Sequence, residues 1–380
     1  MRVFTQLMMK RFHSAKNYMD LSVVGSPTIS SGVVSNFSTS NYLKTQIPFA
    51  PDNSAFEMLW KVKTPSSYNS HRNWIIANPE NSLDYKGIAF GCNTNGDLSL
   101  YLSSTGASWN ITASGNIVNL ATDTDYWLKL KYDLSKYVVL VSTDGTNYTQ
   151  VLSVSSSERI YASNHCIGTN GYAFGQFWGG SIDLNNSYIK IGSTKYNFQF
   201  ALPLTVVGSP TITDGVVSGF TTNNYLKSND LTFPSDWEFV VDLDLSNFTT
   251  DTNYYAFGCF GRSFLFAIKK TSASTYALHL YLSSNNSSWN IADEISSINY
   301  NEGQIYIKVK FDTTKYVLSY SANNNSWTDV ITKVSSTQIY QTSIYVTIGK
   351  WSGTTTAYPS SINLNNSYLV NNGTKYIFTV

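Results

Sequence analysis

The feature that most constrains this chain is a repetition of itself. Residues 22–44 read SVVGSPTISSGVVSNFSTSNYLK and residues 205–227 read TVVGSPTITDGVVSGFTTNNYLK, with 17 of 23 positions identical. Three later anchors return in the same order. Leu100-Tyr101-Leu102 with Trp109-Asn110-Ile111 comes back as Leu280-Tyr281-Leu282 with Trp289-Asn290-Ile291. Lys131-Tyr132-Asp133 with Lys136-Tyr137-Val138 comes back as Lys310-Phe311-Asp312 with Lys315-Tyr316-Val317. Ile182-Asp183-Leu184-Asn185-Asn186-Ser187-Tyr188 comes back as Ile362-Asn363-Leu364-Asn365-Asn366-Ser367-Tyr368. The offset is 183, then 180, 179 and 180. It drifts only between anchors, where insertions settle in loops. So long a period implies that each copy is a whole domain. The expected layout is an arm over 1–19, a first domain over 20–203 and a second over 204–380. Only Ala201-Leu202-Pro203 separates the copies, which is too short for free swinging.

Charged residues make up 13% of the chain, about half the share of an ordinary soluble domain. Aromatics reach 15%, with 27 Tyr, and Ser, Thr and Asn stand where Lys and Glu usually do. That mixture suits twisted sheets with hydroxyl-rich faces. A net charge of +1 offers no concentrated basic surface for nucleic acid. Cys92, Cys166 and Cys259 form no paired framework and read as buried thiols. Cys92 and Cys259 both end an Ala-Phe-Gly-Cys, but at an offset of 167, so that match is coincidence. No apolar run approaches the ~20 residues that a membrane-spanning helix needs.

Residues 1–19 stand apart. Before Asp20 there is no acid, and Phe4, Leu7, Met8 and Phe12 recur at helical spacing beside Arg11. The segment reads as a helix packed on the first domain, as an arm docking into a partner protein, or as a transit peptide. The second copy has no counterpart. The rest alternates as strands do. Phe56, Met58, Trp60 and Val62 share one face, matched by Trp237, Phe239, Val241 and Leu243. Trp109 and Trp289, inside repeated strand anchors, are expected in the core. Asp144-Gly145 signals a hairpin turn. Many short strands without helices imply an all-β chain: two tandem antiparallel β-sandwich (jelly-roll) domains behind a short N-terminal helical arm.

The run from Trp127 to Tyr148, then Ile167-Gly168 and Phe177-Trp178-Gly179-Gly180-Ser181-Ile182-Asp183-Leu184, resembles the concanavalin A-like lectin/glucanase superfamily in its laminin-G-like branch. The closing Asn185-Asn186-Ser187-Tyr188-Ile189-Lys190-Ile191 is similar to domains common in bacteriophage virion proteins, including fibres and surface decorations. The resemblance covers nearly all of both repeats. It implies a lectin-like protein of the virion, attached to capsid or tail proteins through the arm. The alternatives are a carbohydrate-binding module or adhesin of a cellular organism, or a glycoside hydrolase. The second copy departs from the pattern: Gly179-Gly180 becomes Pro359-Ser360 and Asp183 becomes Asn363.

Hydrolases of that superfamily place two carboxylates a few residues apart on one strand. No two of the six glutamates here lie within four residues of each other. Glu238, Asp242 and Asp244 share a strand face, but their first-copy equivalents are Glu57, Lys61 and Lys63. A charge reversal at matched positions reads as a solvated outer face, and no catalytic residue is expected. The four histidines are scattered and suggest no metal or cofactor. Sugar sites use an aromatic plate for the apolar ring face. The candidates are Tyr172, Phe177 and Trp178 in the first copy and Trp351 and Tyr358 in the second, with glycans as ligands and no nucleic acid or membrane as partner.

Overall fold

The computed structural model describes residues 18–45, 54–77, 87–170, 176–229, 231, 233, 236–259, 262–341, 345–351 and 356–380. The arm residues Phe4, Leu7, Met8, Arg11 and Phe12 lie outside these. Tyr18 and Met19, assigned to the end of a helical arm, instead open a strand, because Met19 is buried and the backbone pairs with residues 197–200. The described residues contain no helix, and so none that could cross a membrane. The chain divides into two compact units, Met1–Phe200 and Ala201–Val380.

The first unit opens with β1 Tyr18–Val24, β2 Thr28–Ser30, β3 Val33–Ser35, β4 Tyr42–Thr45 and β5 Phe56–Lys63. Next come β6 Asn73–Ala77, β7 Ile88–Cys92, β8 Leu98–Leu102, β9 Thr112–Ser114 and β10 Asp125–Tyr132. β11 Lys136–Ser142, β12 Thr149–Ser155, β13 Cys166–Ile167, β14 Ser181–Ile191 and β15 Thr194–Val207 complete it, β15 continuing past the boundary. The first sheet runs β2-β3-β14-β5-β10-β11-β12. The second runs β1-β4-β13-β6-β7-β8-β9.

The second unit repeats this order. Its strands are β16 Thr211–Thr213, β17 Val216–Ser218, β18 Tyr225–Ser228, β19 Trp237–Asp244 and β20 Asn253–Cys259. They continue with β21 Phe264–Ser272, β22 Thr275–Leu282, β23 Ala292–Asn299, β24 Gln304–Phe311 and β25 Lys315–Ser321. β26 Thr328–Val334, β27 Val346–Ile348, β28 Ile362–Asn371 and β29 Thr374–Thr379 end the chain. The sheets run β16-β17-β28-β19-β24-β25-β26 and β15-β18-β27-β20-β21-β22-β23.

The alternation along β5 and β19 reports the core directly. Phe56, Met58, Trp60 and Val62 are buried, as are Trp237, Phe239, Val241 and Leu243. Phe239 of one sheet stacks on Phe257 of the other with ring centroids 4.8 Å apart. Each ring so buried stabilises its unit by roughly 1.5–3 kcal/mol. All three cysteines are free and buried. Cys92 ends β7 and Cys259 ends β20, which is the counterpart of β6, so the shared tetrapeptide occupies different strands.

The repeated Leu-Asn-Asn-Ser-Tyr motif is structural. It fills a register break, where Lys61 pairs with Asp183 but Leu59 pairs with Tyr188. Ser187 Oγ accepts the Lys61 N–H at 3.0 Å and donates to the Asp183 carbonyl at 2.6 Å. Asn185 Nδ2 donates to the Ser31 carbonyl at 2.7 Å, pinning the β2–β3 turn. Ser31 and Gly32 there have φ of 48° and 78°, and a Cβ on Gly32 would sit 2.4 Å from the Asn185 side chain. Ser367, Asn365, Asp214 and Gly215 reproduce the arrangement in the second unit. Asp144 closes the β11–β12 turn. Its carboxylate accepts the Thr146 and Asn147 N–H groups, both at 2.8 Å, which holds its pKa well below the usual range.

Candidate functional site

The outward face of each first sheet is filled by charge networks. Glu57 accepts from Tyr188 and pairs with Lys129 at 3.6 Å and Lys131 at 3.1 Å. Burial pushes its pKa up, but the Tyr188 and Lys131 hydrogen bonds and the two lysine charges bring it below the ordinary value. Lys61 Nζ pairs with Asp183 at 3.0 Å, and Asn186 Nδ2 reaches the same carboxylate at 2.8 Å. In the second unit Asp242 replaces Lys61. It is 1% exposed, which corrects the expected solvated face. Gln304 Nε2 reaches its two oxygens at 2.8 and 2.7 Å, and Asn366 Nδ2 donates at 2.8 Å. Asp244 accepts from Ser246 at 2.8 Å and Ser360 at 2.7 Å. Burial raises the Asp244 pKa and these hydroxyls outweigh it. Ser360 stands where Gly180 lies against the Lys63 carbonyl, 2.0 Å from any Cβ placed there. The carboxylates of Glu57, Asp183, Asp242 and Asp244 are thus engaged by fixed donors on their own sheet. Among the described residues no three His, Cys, Asp or Glu side chains gather as metal ligands would.

The second sheets differ: their outward faces carry aromatic rings. In the first unit Trp74 of β6 meets Tyr101 of β8 edge-on at 5.8 Å, and Tyr101 meets Trp109 at 5.7 Å. These rings form a cluster separate from the main core, with Ala77 and Ala89 beneath. Trp74 Nε1 donates to Gln176 Oε1 at 3.0 Å, and Asn170 Nδ2 donates to that oxygen at 2.8 Å. The Arg72 guanidinium lies over Tyr101 at 4.6 Å and Trp74 at 5.6 Å.

In the second unit Tyr255 takes the Trp74 place. Both residues precede a bulge, at Ile75 and Ala256, where one extra residue breaks the pairing with the next strand. Tyr255 meets Trp351 at 5.9 Å, Trp351 meets Trp289 at 5.9 Å and Trp289 meets Tyr281 at 5.4 Å. His279 Nδ1 lies 2.8 Å from the Tyr281 hydroxyl. Burial lowers the His279 pKa, and Lys269 lowers it further against a raising contribution from Asp293. The histidine is therefore neutral at physiological pH, and this surface is a run of four uncharged rings.

The structure sorts the expected plates. Trp351 belongs to the outward, half-buried aromatic cluster. Trp178 and Tyr358 do not: they are 0% and 1% exposed. Trp178 Nε1 donates to the Ser181 carbonyl at 3.2 Å and the Tyr358 hydroxyl to the Asp244 carbonyl at 2.7 Å, so both close the sandwich end. Phe177 is half-buried and bridges to Thr169, its carbonyl accepting Asn69 Nδ2 at 2.9 Å. Tyr172 lies outside the described residues. Trp109 and Trp289, expected in the core, are half-buried members of the outward clusters, because they sit in the loop after β8 and β22 rather than on a strand. Trp74, Tyr101, Tyr255 and Tyr281 were missed altogether. The repeat of Tyr101 and Tyr281 at one offset was the available signal.

No protein-family model matches the sequence, and a search of curated proteins returns no significant match. Among solved structures the chain is similar to domains LG4-5 of the mouse laminin alpha1 chain, at 11% identity over 96% of each chain with a TM-score of 0.31. It is similar to the exoplasmic/lumenal domain of VIP36, at 14% identity over 47% of this chain and 88% of that one, TM-score 0.31. It is also similar to the binding domain of botulinum neurotoxin DC, at 11% identity over 88% and 95%, TM-score 0.32. All three are concanavalin A-like lectin or laminin-G-type folds.

Proposed function

We propose that the chain is a non-enzymatic glycan-binding protein whose second sheets are the binding faces. The observation that carries this is the run Tyr255-Trp351-Trp289-Tyr281, four rings in contact on the outward side of a sheet. Sheet faces turned to water ordinarily carry polar residues, and clustered rings there mark a binding surface. A sugar ring offers an apolar C–H face to such a plate and its hydroxyls to rim groups such as Asp293 and Lys269. The engaged carboxylates of the first sheets support a binding role over hydrolysis. The test is a glycan array followed by calorimetry on Trp289→Ala and Trp351→Ala. Each change should weaken saccharide binding at the second unit's face at least tenfold, about 1.4 kcal/mol, with the unfolding temperature held within a few degrees. Undiminished binding in both variants refutes this face.

The setting we propose is display on a bacteriophage particle through residues 1–17. The support is the unduplicated, acid-free arm sequence ahead of β1 and the resemblance of the Asn-Asn-Ser-Tyr segment. A chain lacking residues 1–17 should fold and bind saccharide yet fail to join particles. Full incorporation of that truncation refutes attachment through the arm, and absence of the full-length chain from particles favours an adhesin or carbohydrate-binding module of a cellular organism.

A further inference from the structure

The two aromatic faces differ in charge, and that difference assigns them different ligands. In the first unit the cluster is covered by Arg72, an exposed side chain whose guanidinium rests on Tyr101 and Trp74. Stacking leaves the five N–H donors at the edge of the plane free to point outward. Among the described residues they make no hydrogen bond and no ion pair, whereas Lys61, Lys63, Lys129 and Lys131 all have carboxylate partners. The rings beneath Arg72 are themselves fixed: Trp74 is 4% exposed and held through its indole N–H by Gln176. The result is a planar cation pre-oriented on a rigid apolar plate. In the second unit the position two residues before Tyr255 is Asn253, and Trp351 adds a ring where the first unit has Asn170.

Building on the glycan-binding reading, we infer that the first unit selects saccharides bearing a carboxylate, the second neutral saccharides. A sugar lying against the half-buried Trp109 brings its carboxylate to the Arg72 fork, which fits the two oxygens of a carboxylate in plane. The shared chemistry is a sugar acid, whether uronic or sialic.

The experiment titrates the full chain with trigalacturonic acid and its methyl ester, and with sialyllactose and lactose, watching indole resonances by NMR. At least one acid should shift Trp109 roughly tenfold more tightly than its neutral partner, as expected for a charge-assisted bidentate contact at an open site. The acid that does so identifies the source. Arg72→Gln should erase that preference and leave neutral binding at Trp289 unchanged. Arg72→Lys should lose most of it, because an ammonium cannot supply the fork. Trp289→Ala should do the reverse, removing neutral binding and sparing the acid. Neutral saccharides bound at Trp289 with no acid preference at Trp109, or a preference that survives Arg72→Gln, overturns the inference and leaves the binding reading intact. No saccharide bound at either face overturns both.

Discussion

Lys61 and Asp242 occupy the same place on the same strand of the same sandwich, and they carry opposite charge. Around Lys61 the carboxylate is on the neighbouring strand, at Asp183, 3.0 Å away. Around Asp242 the carboxylate has moved onto the strand itself, and the neighbour has become Asn363. The amide that steadies it has stayed: Asn186 donates to Asp183 and Asn366 donates to Asp242, both at 2.8 Å. The second unit replaces the lost cation with a neutral donor, Gln304. One backbone therefore tolerates either sign, provided that every buried oxygen keeps its donors. What the copies share is the hydrogen-bonded geometry of the register break. What they vary is the charge placed inside it.

The sharpest way to break this equivalence is to force one unit's charge into the other. Asp242→Lys puts a cation beside two amide donors and opposite Asn363, with the Asp244 carboxylate farther along the face already engaged by Ser246 and Ser360. It should cost the second unit about 4 kcal/mol, the range for an uncompensated buried charge. Adding Asn363→Asp rebuilds the first unit's pair and should recover a measurable part. Hydrogen exchange read by mass spectrometry separates the units: protection should fall over residues 201–380 and hold over 18–200. A loss as large in the double variant as in the single would mean that the two networks are not interchangeable.

A second difference lies beside β13 and β27 of the second sheets. His165 of the first unit is fully buried beside Ser163, 3.2 Å from its hydroxyl, and burial lowers its pKa to about 3. Val346 takes that place in the second unit, since the His165 and Val346 N–H groups reach Thr45 and Ser228, at 2.8 and 2.9 Å. The folded histidine stays neutral while the unfolded one, with a pKa near 6.5, takes up a proton. Stability is therefore full above about pH 6.5 and declines as pH falls toward 3. The slope is about 1.4 kcal/mol per pH unit, or about 2 kcal/mol between pH 7 and 5. That loss should be largest in the first unit and absent there from His165→Val, the second unit losing only what its half-buried His279 contributes. Equal acid sensitivity in the two units would show that another group governs it.

The duplication and the inward faces of β5 and β19 were legible because alternation reports one buried face, and Phe56 to Val62 and Trp237 to Leu243 obey it. Asp242 shows the limit of that reading. Alternation correctly turns it outward, but whether an outward residue is wet depends on Gln304 and Asn366, which lie 62 and 124 residues away. The aromatic faces were less legible still. β6 is buried at every position from Asn73 to Ala77, so Trp74 gives no sign of which side it faces. Its neighbours come from β8 and two loops, and the bulge at Ile75 has no sequence mark. Trp178 and Tyr358 misled for the opposite reason: the Gly-rich stretch around Trp178 and the Thr run before Tyr358 imply open loops, whereas each ring folds back to donate to a carbonyl.

The smallest expected effect is also the one that tests what the copies have in common. If geometry is shared and charge is not, the hydroxyl that bridges the register break should matter equally in both units. Ser187 and Ser367 are each 1% exposed. Each accepts a strand N–H at 3.0 Å, from Lys61 or Asp242, and donates to the carbonyl at the other end of the break. Alanine removes the acceptor and leaves that buried N–H unpaired, a cost of about 1.5 kcal/mol net of the cavity's small size. Ser187→Ala and Ser367→Ala should therefore destabilise their own units by the same amount, to within about 0.5 kcal/mol. The charge beside the hydroxyl is positive in one unit and negative in the other. A field that mattered to this bridge would strengthen acceptance from the Lys61 N–H and weaken it at Asp242, splitting the two values. Matching losses, measured by hydrogen exchange in each unit, place the bridge in the backbone geometry alone.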